Sequence, residues 1–311
     1  MKLNKSIDSI KKLINNLSSW GLILVFCLLF LFLVVLFKSS KKRENFETTR
    51  HFLHKTGNDI YDDFYVDIYD DLVYNDMKDN YEIQEIVNKT TPTHSSTILD
   101  IGSGTGHHSG KLSEQGYNVL GIDKSQAMVN KAKTNYPKTT FVKGDVLDAN
   151  PNLENNKFTH ILCLYFTIYY IENKEMFFEN CMKWLKPGGF LILHVVDRDM
   201  FDPIIPAGQG FLIFSPQKYA KKRINTSKVV FNNFVYSSKF DLKPSENLGS
   251  FDEKIEFKNN SVRKHKHVMY MEDAPELLAR AQNCGFIIKD KIDLLNCGYD
   301  NQYLYILLKP A

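Results

Sequence analysis

Leu99-Asp100-Ile101-Gly102-Ser103-Gly104-Thr105-Gly106 is the stretch that decides how this chain is read. It follows an extended apolar start at Thr97 and Ile98 and runs into a helix-like segment, Gly106 to Gln115. Glycine is needed where a chain turns sharply from strand to helix and lets a ligand approach its backbone. The helix behind such a turn supplies free N–H groups and a positive dipole end. Downstream, Val119-Leu120-Gly121-Ile122-Asp123 reads as a second strand ending in an acid. That acid lies about 20 residues on, the spacing at which a carboxylate can accept hydrogen bonds from a ribose.

Working outward, strand-like runs fall at 97–101, 118–122, 140–144, 158–166 and 189–196, with helical runs at about 106–115, 125–135 and 172–185 between them. Such alternation requires crossover connections and predicts a parallel sheet covered on both faces. Pro187-Gly188-Gly189 reads as a turn that starts the fifth strand. After Asp197 the rhythm breaks. Residues 198–270 carry Pro203, Pro206, Gly208 and Gly210 and then short alternating runs, which predicts an antiparallel flap inserted into an α/β domain. The rhythm resumes with a helix over 274–284 and strands over 286–292 and 303–308. Upstream, Asp59 to Leu72 places apolar or aromatic residues at 61, 64, 65, 68, 69 and 72, a helical stripe with an acidic opposite face. A second helix is expected over about 79–89.

Residues 20–37 contain no charged side chain. A helix of that length spans about 27 Å, near the hydrocarbon thickness of a bilayer. Trp20 sits at one edge, and Lys38, Lys41, Lys42 and Arg43 close the other. A cleaved signal peptide is the competing reading; the length of the run and the lack of a small-residue cleavage site favour a retained single-pass anchor. Lysines on both sides leave the positive-inside rule tied. Residues 1–19 read as an amphipathic segment, 38–58 as a polar linker and 59–311 as the soluble domain. The net charge of +3 is too small to argue for nucleic acid. Cys27, Cys163, Cys181, Cys284 and Cys297 show no C-x-x-C pairing, so free thiols are expected.

With these pieces in place, the sequence resembles the class I S-adenosylmethionine-dependent methyltransferases over roughly 59–309. The matching residues are Leu99 to Gly106, Gly121 to Met128, Lys143-Gly144-Asp145-Val146 and Trp184-Leu185-Lys186-Pro187-Gly188-Gly189. The resemblance implies a doubly wound, mostly parallel seven-stranded sheet with a reversed final hairpin, and S-adenosylmethionine as cofactor. It implies that Gly102, Gly104 and Gly106 let the backbone pass the donor, with Ser103 and Thr105 between them. Asp100 would lie near its ammonium and Asp123 on its ribose, with Lys124 and Met128 on the same wall. Asp145 and Val146 would face the adenine; Leu164 and Tyr165 would border the sulfonium. A nicotinamide-type loop is disfavoured because the glycines read G-x-G-x-G rather than G-x-G-x-x-G. No G-K-[ST] follows them, so a P-loop is absent.

The acceptor is read from the end of the fourth strand, Cys163 to Ile171. An Asn/Asp-Pro-Pro-aromatic tetrad is missing there, which lowers a nucleic-acid base as acceptor. The Leu-Tyr-Phe-Thr-Ile-Tyr-Tyr-Ile run, the aromatic helix and the flap look more like small-molecule N-methyltransferases, those acting on amino sugars or glycine being nearest. Tyr65, Tyr69, Tyr165 and Tyr169 are the candidates to line the acceptor pocket and orient a desolvated lone pair. His107, His108 and His194 are candidates for a base, should an O-methyl acceptor need one. Arg263-Lys264-His265-Lys266-His267 reads as a solvated basic strand, or as a contact for anionic lipid. No metal site is expected. The expectation is a membrane-anchored enzyme that methylates a small molecule or a lipid-linked group, N-methylation favoured, with its soluble domain on the cytosolic face. Two other readings stay open: a protein or RNA methyltransferase, and a catalytically silent adaptor.

Overall fold

The computed structural model describes residues 52–148, 152–209 and 220–311, with the isolated positions 18, 20, 21, 23, 30 and 217. The amphipathic segment 1–19 and the apolar run 20–37 thus lie, but for a few positions, outside the described residues, as does 38–51 of the linker. Among the described residues no helix is long and apolar enough to cross a membrane. Residues 50–311 form one compact unit.

Its centre is a seven-stranded sheet. In chain order the strands are β2 (Thr97–Ile101), β3 (Asn118–Asp123), β4 (Thr140–Lys143), β5 (Phe158–Cys163), β6 (Leu185–Val196), β11 (Ile287–Asp293) and β12 (Gln302–Leu308), numbered to leave room for β1 and a second sheet. The spatial order is β11-β12-β6-β5-β2-β3-β4. Strands β2 to β6 pair in parallel, while β12 runs antiparallel to both neighbours. The strand order reverses beside β2, between β3 and β5, and doubly wound sheets bind ligands beyond the strand ends at such a point.

The flanking helices are α1 (Asp63–Val73), α2 (Asp76–Thr90), α3 (His107–Glu114), α4 (Gln126–Asn135), α5 (Lys174–Trp184) and α6 (Ala274–Asn283). Leu99, Ile101, Ile161, Leu191 and Leu193 fill the core on one side of the sheet; Ile98, Leu162, Ile192, Leu304 and Ile306 fill it on the other. These strands are apolar on both faces because both faces are covered.

A second sheet forms the flap: β7 (Thr226–Val230), β8 (Phe234–Lys243), β9 (Leu248–Phe257) and β10 (Val262–Tyr270) are consecutive antiparallel strands, as expected. A fifth strand, β1 (Phe52–Thr56), joins its edge parallel to β10. The domain therefore begins inside the stretch expected to be linker. Its side chains are mostly exposed, so β1 carries no apolar alternation to betray it.

Three further boundaries differ from expectation. The aromatic helix breaks at Tyr61: a 3₁₀ turn over Gly57–Ile60 precedes it, and Asp62 caps α1 by accepting from the Tyr65 N–H at 3.1 Å. The fourth strand stops at Cys163, because Tyr165 takes a left-handed φ of 52° and Thr167–Tyr170 coil into a 3₁₀ turn. Pro187-Gly188-Gly189 lies within β6 as an irregularity of register against β5, rather than starting the strand.

Candidate active site

The donor half is built at the ends of β2 and β3. Gly102 and Gly104 hold φ of 67° and 54°, the left-handed region that favours glycine. Asp123 accepts the Gly104 N–H on one oxygen at 3.0 Å and the Ser125 N–H on the other at 2.8 Å. A carboxylate has about four acceptor sites, so each oxygen keeps one for a diol. Burial pushes the Asp123 carboxyl up from its ordinary value, opposed by those two N–H groups and by Lys124. Asp100 is buried, accepts the Ser109 hydroxyl at 2.6 Å, and is pushed up to about 6, burial being the main cause. Asp79 presents a buried carboxylate oxygen without a hydrogen-bond partner, and the Ser103 hydroxyl is likewise unpartnered. These carboxylates, the orphaned atoms and the glycine backbone line one cavity, of about 770 Å³. A cationic, ribose-bearing nucleoside fits that donor set.

The remaining cofactor candidates divide. Met128, Val146, Leu164 and Tyr165 line the same cavity, as do Lys124 and Asp145, which pair at 2.7 Å. Asp145 also accepts the Leu147 N–H at 3.0 Å, so an adenine amine would share it with Lys124. Gly106 does not line the cavity. A Cβ there would lie 2.8 Å from the Phe141 ring and 2.9 Å from Ala132, so this glycine serves the packing of α3 on its neighbours. Thr105 lines the cavity and its hydroxyl donates to Asp70 at 2.6 Å, while His107 comes within 3.1 Å of the other oxygen of Asp70. Asp70, on the acidic face of α1, thus clamps the glycine loop.

The acceptor half is aromatic. Tyr69 comes within 4.0 Å of where a Gly104 Cβ would stand, and its ring lies 6.4 Å from Tyr61 and 5.9 Å from Tyr65. Thr167 packs on Gly102, and three residues later Tyr170 reaches the flap. Of the four tyrosine candidates, Tyr65, Tyr69 and Tyr165 line the cavity. Tyr169 does not: it is fully buried in the core, its hydroxyl accepting the Val196 N–H at 2.9 Å. The Tyr165 hydroxyl is held by the Val73 carbonyl at 2.6 Å and its ring lies under the Lys78 ammonium, at 4.0 Å. Those contacts offset the left-handed backbone of an aromatic residue, which costs of order 1–3 kcal/mol. Burial raises all four phenols, so none is a phenolate.

The flap supplies what the sequence reading missed. Alternation along β10 turns Arg263, His265 and His267 inward, where each is nearly fully buried, and leaves Lys264 and Lys266 of the basic run on the outer face. They meet Glu253 of β9. Tyr65 and Tyr236 donate to one Glu253 oxygen at 2.8 and 2.5 Å; His265 Nδ1 and His267 Nε2 meet the other at 2.8 and 3.0 Å. Burial alone would raise this carboxyl, but His267, His265 and Tyr236 hold it well below the usual range. Glu253 is invisible from sequence spacing, because one partner lies 188 residues away.

The three histidines considered as bases are otherwise engaged. His107 stacks on Tyr74 at 3.9 Å, bonds the Tyr136 hydroxyl through Nδ1 and brings Nε2 within 3.1 Å of Asp70. His108 meets Glu82 at 2.9 Å; burial opposes its charge, but Asp79 and Glu82 raise it above its ordinary value. His194 is buried between the Tyr165 carbonyl and Gln302, and burial lowers it to about 4. Among the described residues two clusters have metal-ligating types in reach, Glu253/His265/His267 and Asp79/Glu82/His108. In the first, Arg263 Nε occupies His265 Nε2 at 2.5 Å; in the second, the Lys78 ammonium bonds Glu82 at 2.5 Å. A cationic side chain already stands at each.

Against known proteins, residues 98–189 match the family model described as "Methyltransferase domain". Over those residues the chain is similar to a methyltransferase domain. Among curated proteins it is 30% identical, over 125 residues, to the ubiquinone biosynthesis O-methyltransferase of Rickettsia canadensis, covering 40% of this chain and 52% of that one. The chain thus spans about half the length of the curated relatives it matches. Among solved structures, an S-adenosylmethionine-dependent methyltransferase from Clostridium acetobutylicum superposes with a TM-score of 0.60 at 17% identity, over 80% of this chain and 98% of that one. CalS10, an amino pentose methyltransferase from Micromonospora echinaspora solved with the donor bound, gives 0.52 at 16% identity, over 75% and 90%. The likeness to these structures is one of fold, and the carboxylates and glycine backbone of the cavity fit S-adenosylmethionine.

Proposed function

We propose that this protein transfers a methyl group from S-adenosylmethionine to the amine of a small molecule. The observation that carries this is the single cavity running from Asp100, Asp123 and the glycine loop to a wall of Tyr61, Tyr65, Tyr69 and Tyr170 closed by Glu253. Asp123 would hold the ribose hydroxyls, Asp100 and Asp79 the ammonium, and Asp145 and Val146 the adenine. The bound donor supplies an electrophilic methyl group with sulfur as its leaving group. The chain's own residues exclude water and orient the acceptor, and such positioning contributes much of the rate in a displacement. Tyrosine faces around an anionic carboxylate favour a cationic or polar acceptor. Among the described residues lining the cavity Lys124, on the donor side, is the lone lysine and there is no arginine, so an anionic acceptor is disfavoured. The amino pentose acceptor of CalS10 agrees with this reading.

O-methylation is the second reading, favoured by the printed activity of the Rickettsia relatives. Titration calorimetry of the full chain with S-adenosylmethionine tests the donor half. Labelled-methyl transfer to D-glucosamine and to 3,4-dihydroxybenzoate separates the two acceptor classes; transfer to the catechol alone would overturn the amine. Labelling of protein or RNA in a lysate would favour a macromolecular acceptor, and donor binding without transfer to any fraction a silent adaptor. A membrane tether over 20–37, with the domain on the cytosolic face, remains part of the proposal on the strength of the uncharged run alone. Alkaline carbonate extraction and protease protection test it.

A further inference from the structure

The geometry points to His267 as the general base that deprotonates the acceptor, receiving the proton through the Tyr170 hydroxyl, with Glu253 as its positioning residue. This rests on the methyl-transfer reading and adds to it how an amine that arrives as an ammonium acquires its lone pair.

An ionised carboxylate only accepts hydrogen bonds. Glu253 receives His267 Nε2 and His265 Nδ1 on one oxygen, so each of those nitrogens carries a hydrogen. Arg263 Nε donates to His265 Nε2, which fixes His265 as a neutral orienting group rather than a second base. In neutral His267 the lone pair is left on Nδ1, and the Tyr170 hydroxyl lies on it at 3.2 Å. Tyr61, Tyr170 and His267 all line the cavity. The groups facing His267 are Tyr61 and Tyr65 from the α1 side, Tyr170 from the 3₁₀ turn, Phe251 and Glu253 from β9 and His265 from β10. Glu253 is the one anion among them, and it stabilises the imidazolium as that forms. This is the orienting logic of a carboxylate behind a histidine.

The step balances. The acceptor N–H bond breaks as an O–H bond forms on Tyr170, and Tyr170 passes its own hydrogen to His267 Nδ1. The freed nitrogen pair attacks the methyl carbon, and the sulfur keeps the pair of the bond that breaks. Tyr170 is 40% exposed, which gives the proton a way back to water after release of product.

The test uses the full chain, wild type and His267→Asn, with D-glucosamine, glycine and tyramine as amines. Donor affinity by calorimetry should be the same in both proteins. Methyl transfer by His267→Asn should fall about 100-fold or more at pH 7, in line with general base catalysis. It should recover with unit slope towards the amine's own pKa, while the wild type reaches its plateau at lower pH. Equal rates and profiles in the two proteins would overturn the proposal. Lack of donor binding by the wild type would instead overturn the methyl-transfer reading beneath it. Should no amine accept a methyl group, ¹⁵N spectra of histidine-labelled protein decide. An Nε2–H tautomer at His267 that is lost in Glu253→Gln supports the proposal; an Nδ1–H tautomer in the wild type overturns it.

Discussion

At the scale of single residues, Asp123 and Asp100 carry the donor half in different ways. Asp123 is fixed by two backbone N–H groups at 3.0 and 2.8 Å and keeps acceptor capacity for a diol. Hydrogen bonds to a charged group contribute about 1.5–3 kcal/mol each. Asp123→Ala is therefore expected to weaken S-adenosylmethionine binding by about 100-fold or more by calorimetry. Unchanged affinity would remove Asp123 from the ribose. Asp100 titrates where experiments are done, because burial lifts it to about 6. Its ionised form pairs with an ammonium and its protonated form does not. Donor affinity should therefore be flat above that pH and fall below it by up to about tenfold per unit. Calorimetry at pH 5 and pH 7.5 reads this directly, and Asp100→Asn should abolish the difference.

Among elements, α3 shows how a helix is fitted to the sheet by absent side chains. Gly110 lies mid-helix, where alanine is intrinsically better by about 1 kcal/mol. A Cβ at that position would stand 2.1 Å from the Tyr136 ring at the C-terminal end of α4. Tyr136 is not free to withdraw, since its hydroxyl holds His107 at 2.8 Å and His107 holds Asp70. Overpacking of this kind costs about 1–3 kcal/mol, more than the gain in propensity. Gly110→Ala should lower the melting temperature and, by displacing His107, loosen the clamp on Thr105. A rise in melting temperature would mean that Tyr136 swings aside and the clamp is slack.

For the whole molecule, the two sheets were unequally legible in the sequence. The seven-stranded sheet could be read because Ile98-Leu99 and Leu191-Ile192-Leu193 are apolar on both faces and its turns carry glycine. The residues proposed to hold the donor were visible in the sequence because they follow strand ends at fixed spacings. The aromatic wall could not, since Glu253 acquires its meaning from Tyr65, Tyr236, His265 and His267, which come together from one helix and two strands of the flap. Strand β1 was hidden for a different reason: it is an exposed edge, held by backbone pairing from Phe52↔Val262 to Thr56↔Lys266. That pairing has a consequence for where the folded unit begins. Lys55 forms an ion pair with Asp62, the residue that caps α1 and also receives Arg263 at 2.7 Å. A chain beginning at residue 59 loses β1, uncovers the edge of β10 and removes one of the two cations on Asp62. A chain beginning at residue 50 keeps all of these. If β1 contributes about 2 kcal/mol, the shorter chain should melt roughly 4–8 °C below the longer one by scanning calorimetry. The seven-stranded sheet and its loop are untouched by the truncation, so donor affinity should stay the same at 20 °C. Equal melting temperatures would show that β1 is an ornament on the flap; lost donor binding would show that the two sheets unfold together.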